Sequence, residues 1–181
     1  MTERVEMKVK IALLGEGTVG KTSLLRRFVY DEFDDRYLKT FGTKTTKKVM
    51  EVIDPADNAM VELTLLVTDL MGQTELVGLH DRYLYGCKGA FVVCDITNRQ
   101  TMEMMIDWAK KIISVTGQIP LIFVANKFDL LDKAMFDLEI VLDLADQYGA
   151  PCYFTSAQTG ENVEAMFNTM AQKMLPLRHE E

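Results

Sequence analysis

Gly15-Glu16-Gly17-Thr18-Val19-Gly20-Lys21-Thr22 is a complete G-x-x-x-x-G-K-[ST] element, and it follows the apolar run Ile11-Ala12-Leu13-Leu14. In such a loop glycines let backbone N–H groups curl around phosphate oxygens. The lysine adds a point charge, and the final hydroxyl can reach a magnesium ion. A strand that ends in the loop, with a helix beginning behind it, also aims the positive end of that helix at the anion. The blander account is a glycine turn between strand and helix. The stretch implies binding of a nucleoside phosphate, and the base and the reaction have to be read elsewhere in the chain.

Outward from this loop, apolar runs alternate with helix-like stretches, the pattern of a parallel sheet with crossover helices. Strands are expected at 5–14, 43–53, 60–68, 89–95, 119–125 and 151–155, and helices at 20–30, 98–115, 134–148 and 161–175, with a shorter one near 74–84. Asp54-Pro55-Ala56-Asp57-Asn58 is rich in turn formers and joins the second and third strands as a hairpin. Thr97-Asn98 and Gly160 stand where helices would start, and Gly117 and Gly149 where helices would end. Val163, Met166, Phe167, Met170 and Met174 recur at helical spacing, the signature of a core-facing stripe.

With 181 residues, 48% of them hydrophobic and 26% charged, the chain reads as a single domain over 1–181. No apolar stretch approaches the length of a membrane span, and residues 1–10 alternate charge with Val5, Met7 and Val9, as a half-buried strand does. Cys87, Cys94 and Cys152 lie in apolar contexts without metal-ligand spacing, which points to reduced thiols and a cytoplasmic setting. A net charge of −7 repels polyanions and argues against nucleic acid as a partner. One basic cluster, Lys39, Lys44, Lys47 and Lys48 interleaved with threonines, has two accounts. Lysines blunt an exposed edge strand against self-pairing, or they form a docking surface for an acidic partner.

The base is read from Asn126-Lys127-Phe128-Asp129, which follows the apolar strand Leu121 to Ala125. That placement puts polar groups in the crevice where open α/β sheets bind ligands. A carboxylate that accepts two N–H bonds matches the N1 and exocyclic amine edge of guanine. Adenine has no donor at that ring nitrogen and is rejected by the same carboxylate. A second motif, Asp69-Leu70-Met71-Gly72-Gln73, follows another apolar strand. Its aspartate is placed to hold a magnesium-bound water, and Gly72 to offer a backbone N–H to the terminal phosphate. The same D-x-x-G spacing at Asp146 to Gly149 reads instead as a helix end closed by glycine.

Together these segments, with Tyr37-Leu38-Lys39-Thr40-Phe41-Gly42 and the run from Thr155 to Val163, resemble a small GTPase of the Ras superfamily, closest in texture to its Rab branch. The resemblance covers about residues 7 to 175. It implies an α/β fold of the P-loop NTPase type, a small G domain. Its sheet would be six-stranded and mostly parallel, with one antiparallel edge hairpin and helices on both faces. It further implies a guanine-nucleotide switch that binds GTP and GDP with Mg2+ and hydrolyses GTP slowly.

Residue by residue, the resemblance gives the phosphates to Gly15, Gly17, Thr18, Val19, Gly20, Lys21 and Thr22, with Thr40 and Gly72 at the γ-phosphate. Thr22 and Thr40 would coordinate the magnesium, and Asp69 would act through water. Phe33 would stack on guanine, Asn126 and Asp129 would read it with support from Lys127, and Ser156 and Ala157 would present backbone to its carbonyl oxygen. Gln73 would orient the attacking water, and a side chain at Gly17 would crowd it. Segments 33–42 and 70–84 would be the two switches. Effectors, an exchange factor and a GTPase-activating protein are the implied partners. No arginine finger supplied in cis is identified, Arg36 being a candidate by position alone.

Three departures from the family pattern stand out. Leu70 and Met71 replace the usual Thr-Ala and make the second switch more apolar, which suits packing or a hydrophobic partner. Gln158 replaces the lysine usual after Ser-Ala, shortening an apolar stem beside the base. The tail Leu175 to Glu181 carries no C-a-a-X cysteine and no polybasic run, so no lipid anchor is expected from it. The alternative to a hydrolysing switch is a nucleotide-loaded scaffold with negligible turnover. Retention of Thr40 and Gln73 argues against it, because a frozen switch needs neither.

Overall fold

The computed structural model describes residues 4–33, 43–70 and 77–180. Thr40, Gly72 and Gln73 lie outside the described residues, as do Arg36, Lys39 and Met71, so the two switch segments are described only in part. Six strands form one sheet: β1 Val5–Leu14, β2 Thr43–Ile53, β3 Met60–Leu70, β4 Gly89–Asp95, β5 Leu121–Asn126 and β6 Cys152–Thr155, in the spatial order β2-β3-β1-β4-β5-β6. All neighbouring pairs are parallel except β2–β3, an antiparallel hairpin at the edge, with Thr43 opposite Leu70 and Ile53 opposite Met60. This is the sheet expected from the sequence. Strands β5 and β6 start one or two residues later than expected because Pro120 and Pro151 precede them, and proline has no N–H for the ladder.

Both faces of the sheet are covered, which explains why its central strands read as continuous apolar runs and do not alternate. On one face Val9, Ile11 and Leu13 of β1, Leu63 and Leu65 of β3 and Phe91 and Val93 of β4 pack beneath helices α1 (Lys21–Tyr30) and α6 (Val163–Met174). On the other, Ala12, Leu14, Val92, Cys94, Phe123 and Ala125 meet α3 (Arg99–Glu103), α4 (Met105–Thr116) and α5 (Glu139–Gln147), with Leu84 from α2 (Val77–Leu84). The methionine stripe of α6 is core as expected: Met166, Met170 and Met174 are fully buried. Phe167 stacks on Phe28 of α1 at 3.9 Å between centroids and meets Phe91 edge-on at 4.9 Å, so one ring ties two helices to β4.

Local chemistry moved several helix ends. The helix expected over 98–115 starts at the Asn98 cap, whose side chain accepts from the Gln100 N–H, but it is interrupted at Met104. Thr101 accepts from the Asp95 N–H at 2.9 Å and donates to the Asn98 carbonyl at 2.7 Å, pinning α3 to the end of β4 before α4 resumes. The helix expected from 134 begins at Glu139, where Asp137 accepts the Glu139 N–H, and ahead of it residues Phe128–Lys133 form a 3-10 helix that was not expected. Gly117 and Gly149 close α4 and the turn after α5 with φ of +77° and +61°, the left-handed conformation their positions required. A final 3-10 helix, Leu175–His179, ends α6, and its Arg178 and His179 hold Asp54 in the β2–β3 turn at 2.5 and 2.9 Å. Among the described residues no helix is long and apolar enough to cross a membrane.

Candidate nucleotide site

β1 ends at Leu14, and the chain turns at once through Gly15 to Gly20 into α1. Three residues of that turn have left-handed backbone, Gly15 (φ +146°), Thr18 (φ +72°) and Gly20 (φ +97°), the kind of conformation from which anion-binding nests of backbone amides are built. Two of the glycines are required by space as well. A Cβ on Gly15 would lie 2.4 Å from the Val93 carbonyl oxygen of β4, and one on Gly20 would lie 2.4 Å from Nδ2 of Asn126. Gly17 meets nothing within 4 Å, so packing among the described residues does not demand glycine there. Val19 is fully buried and anchors the loop in the core under α1. The N-terminus of α1 has no side-chain cap and no acidic residue in its first turn, so its positive dipole end is left for an external anion.

Lys21 is buried, with Nζ donating to the carbonyls of Gly15 and Glu16, both at 2.8 Å. Burial pushes the pKa of its ammonium down to about 8, against the opposing pull of Asp69 and Glu16. Thr22, the next residue, donates its hydroxyl to Oδ2 of Asp69 at the end of β3. Asp69 is 1% exposed, and its Oδ1 has no hydrogen-bond partner among the described residues. Burial raises its pKa, while the Thr22 hydroxyl, Lys21 and Lys44 pull it down. A buried carboxylate oxygen without a partner is costly. Beside a hydroxyl, it supplies the hard oxygen donors that a magnesium ion takes, directly or through water.

The Asn126–Asp129 segment stands beside this loop. Asn126 closes β5, is 1% exposed, and its Nδ2 reaches behind Gly20 to donate to the Val19 carbonyl at 2.9 Å. Its Oδ1 accepts from the Thr155 hydroxyl of β6 at 3.0 Å, so one amide latches the phosphate loop, β5 and β6 together. Lys127 takes the left-handed conformation (φ +68°), a strained choice for a non-glycine residue, and its Nζ pairs with Oδ2 of Asp95 at 2.7 Å. Asp129 accepts from the Ser156 hydroxyl at 2.8 Å, and that oxygen in turn accepts the Thr159 N–H at 3.1 Å. Ala157 follows at 4% exposure. Phe33 lies past the end of α1, 38% exposed and in neither core cluster.

Gly15, Gly17, Thr18, Val19, Gly20, Lys21, Thr22 and Asp69 thus share one end of the sheet with Asn126, Lys127, Asp129, Ser156 and Ala157, although they are scattered from residue 15 to residue 157. Sequence reading missed three supporting residues. Asp95 is 4% exposed, binds the Thr97 amide and hydroxyl at 2.8 and 2.7 Å, and holds Lys127; its only signal was an aspartate ending an apolar strand. Trp108 of α4 donates from Nε1 to Glu16 of the phosphate loop at 2.9 Å. Arg27 of α1 donates to the Ala157 and Gln158 carbonyls. These last pairings are long-range and leave no spacing to read. The lysine cluster is partly described: Lys44, Lys47 and Lys48 lie on β2, the edge strand, and Lys48 sits 5.3 Å over the Phe28 ring.

The Ras family model matches residues 10–176, which takes in the phosphate loop, Asp69, the Asn126–Asp129 segment and the loop after β6 in one continuous span. That match covers nearly the whole chain and agrees with the sheet order and with the site assembled at its end. The chain belongs to the Ras family, whose members are small GTP-binding switches with GTPase activity.

Proposed function

We propose that this chain is a Rab-like, magnesium-dependent GTPase of the cytoplasm, a single-domain switch that presents different surfaces with GTP and with GDP. The observation that carries this reading is the Asn126 latch. By bonding Val19 at 2.9 Å and Thr155 at 3.0 Å it makes the phosphate cradle and the base-reading loops parts of one rigid site. Asp129, steadied by Ser156, accepts the N1 and exocyclic N–H groups of guanine, and the backbone at Ala157 meets the ring carbonyl. Lys127, held by Asp95, lays its stem along the base. Phe33 stacks on the opposite face.

At the phosphate end, the loop amides and the N-terminus of α1 receive the β-phosphate, and Lys21 turns from the Gly15 and Glu16 carbonyls toward the phosphate oxygens. Negative charge there restores the ammonium that burial disfavours. Thr22, Thr40 and, through water, Asp69 would hold Mg2+, which when bound neutralises charge developing on the β- and γ-oxygens. Gln73 orients the attacking water, and Gly72 donates its N–H to the γ-phosphate. With no arginine identified in cis, unaided turnover is slow. Ras itself, left alone, hydrolyses GTP on the order of 10⁻⁴ s⁻¹, and a partner's arginine raises that rate about 10⁵-fold. Segments 33–42 and 70–84 respond to the γ-phosphate and meet effectors, an exchange factor and an activating protein.

Release of phosphate from GTP by the purified chain with excess magnesium tests the reading. Single-turnover hydrolysis should proceed, and Gln73→Leu should slow it at least about tenfold while GTP affinity stays within about twofold. A variant as fast as the unaltered chain removes Gln73 from the chemistry. No phosphate release from either, with GTP tightly bound, supports the nucleotide-loaded scaffold instead.

A further inference from the structure

Arg27 lies on α1, in the same helix as Lys21, and its side chain is 18% exposed. Its guanidinium crosses 130 positions of sequence to the loop after β6. Nε donates to the Ala157 carbonyl at 2.8 Å and Nη2 to the Gln158 carbonyl at 2.6 Å. On its other edge Nη1 donates to Asp31 at 3.1 Å, at the left-handed residue that ends α1 just before Phe33. A planar fork can hold two successive carbonyls at fixed geometry, which a lysine ammonium cannot.

Peptide by peptide, the loop's hydrogen bonds show what this achieves. The Ser156 N–H goes to the Glu161 carbonyl at 3.1 Å, and the Ser156 carbonyl accepts from Gly160 at 2.8 Å. The next two peptide planes are fixed through their carbonyls by Arg27. Between these restraints the Ala157 N–H makes no hydrogen bond among the described residues, although Ala157 is 4% exposed. A nearly buried amide without a partner, on a backbone held on both sides, is a donor waiting for an oxygen.

We propose that Arg27 is a positioning residue for base recognition. It fixes the Ala157–Gln158 backbone from α1 so that the Ala157 N–H meets the six-position oxygen of the purine, and it couples that contact to the helix that carries Lys21 and Thr22. The inference rests on the reading of this site as a guanine-nucleotide pocket. Because Arg27 acts on one edge of the base, its loss discriminates between purines at position six and leaves recognition of the two-amino group by Asp129 in place.

The test is a set of dissociation rates from the full chain for GDP, 6-thio-GDP, in which a weaker and larger sulfur acceptor replaces the oxygen, and inosine diphosphate, which lacks the two-amino group. The unaltered chain should prefer GDP over both analogues. In Arg27→Ala, GDP should leave about tenfold faster and the preference over 6-thio-GDP should fall by a similar factor, with the preference over inosine diphosphate unchanged. Arg27→Lys, which keeps the stem and the charge, should lose an intermediate part of the 6-thio preference and carries the test if the alanine variant does not fold. Full retention of the 6-thio preference in the folded variants overturns the proposal, and so does equal loss of both preferences, which marks Arg27 as merely structural. An unaltered chain that shows no preference for GDP over inosine diphosphate instead refutes the guanine pocket itself.

Discussion

Within the segment proposed to read the base, Asn126 and Asp129 make different contacts that their shared motif does not reveal. Asn126 gives one amide N–H to Val19 and its oxygen to Thr155, which holds the two halves of the site in register and leaves its second N–H for the base. Asp129 keeps one carboxylate oxygen on Ser156 and has acceptor capacity left for the base. Asp129→Asn replaces an acceptor with a donor that faces the guanine N–H groups. Its GTP affinity should drop about a hundredfold and its xanthosine triphosphate affinity rise, as read by competition against a fluorescent nucleotide. Equal GTP affinity before and after the change would remove Asp129 from the base contact. The placement of these two residues at the end of β5 was legible from four letters following an apolar strand. Asp95 and Arg27, which steady Lys127 and Ala157, were not, because an isolated Asp or Arg carries no period and nothing in the spacing points to its partner.

Among the elements, α1 and the strands were legible because burial on both faces of the sheet leaves long apolar runs, and because glycine geometry punctuates the phosphate loop. The break at Met104 and the 3-10 helix Phe128–Lys133 were not legible. The first arises where Thr101 competes locally for backbone groups that helical periodicity would assign elsewhere, and the second precedes the Asp137 side chain that accepts the first N–H of α5. The element that carries Lys21 and Thr22 is seated by aromatic packing, since Phe28 of α1 stacks on the fully buried Phe167 of α6. Phe167→Ala should therefore lower unfolding stability by about 3–5 kcal/mol in urea denaturation and speed nucleotide release through α1. A loss below about 1 kcal/mol would show that the stack does not seat the helix.

For the molecule as a whole, burial of the three thiols contributes to the loss of stability at alkaline pH. Desolvation pushes the Cys87 thiol up to about 11 and Cys152 to about 12, and Cys94 further still. Unfolded thiols surrender their protons near pH 9 while the folded ones keep them, so this contribution is fully present below pH 9 and is lost as pH rises through 11 to 12. Cys94→Ala should make the decline of stability above about pH 9 shallower, by about 1.4 kcal/mol per pH unit. Identical slopes in the two proteins would contradict the assignment. The overall architecture was legible from the alternation of strands and helices, and the match of the Ras family model over residues 10–176 agrees with it. What the molecule was built to bind is most directly settled by denaturing the purified chain and identifying the released nucleotide by chromatography. Guanine nucleotide, mainly GDP and in about equimolar amount to the protein, is the result expected from slow turnover with tight product binding; recovery of adenine nucleotides would contradict the account at its centre.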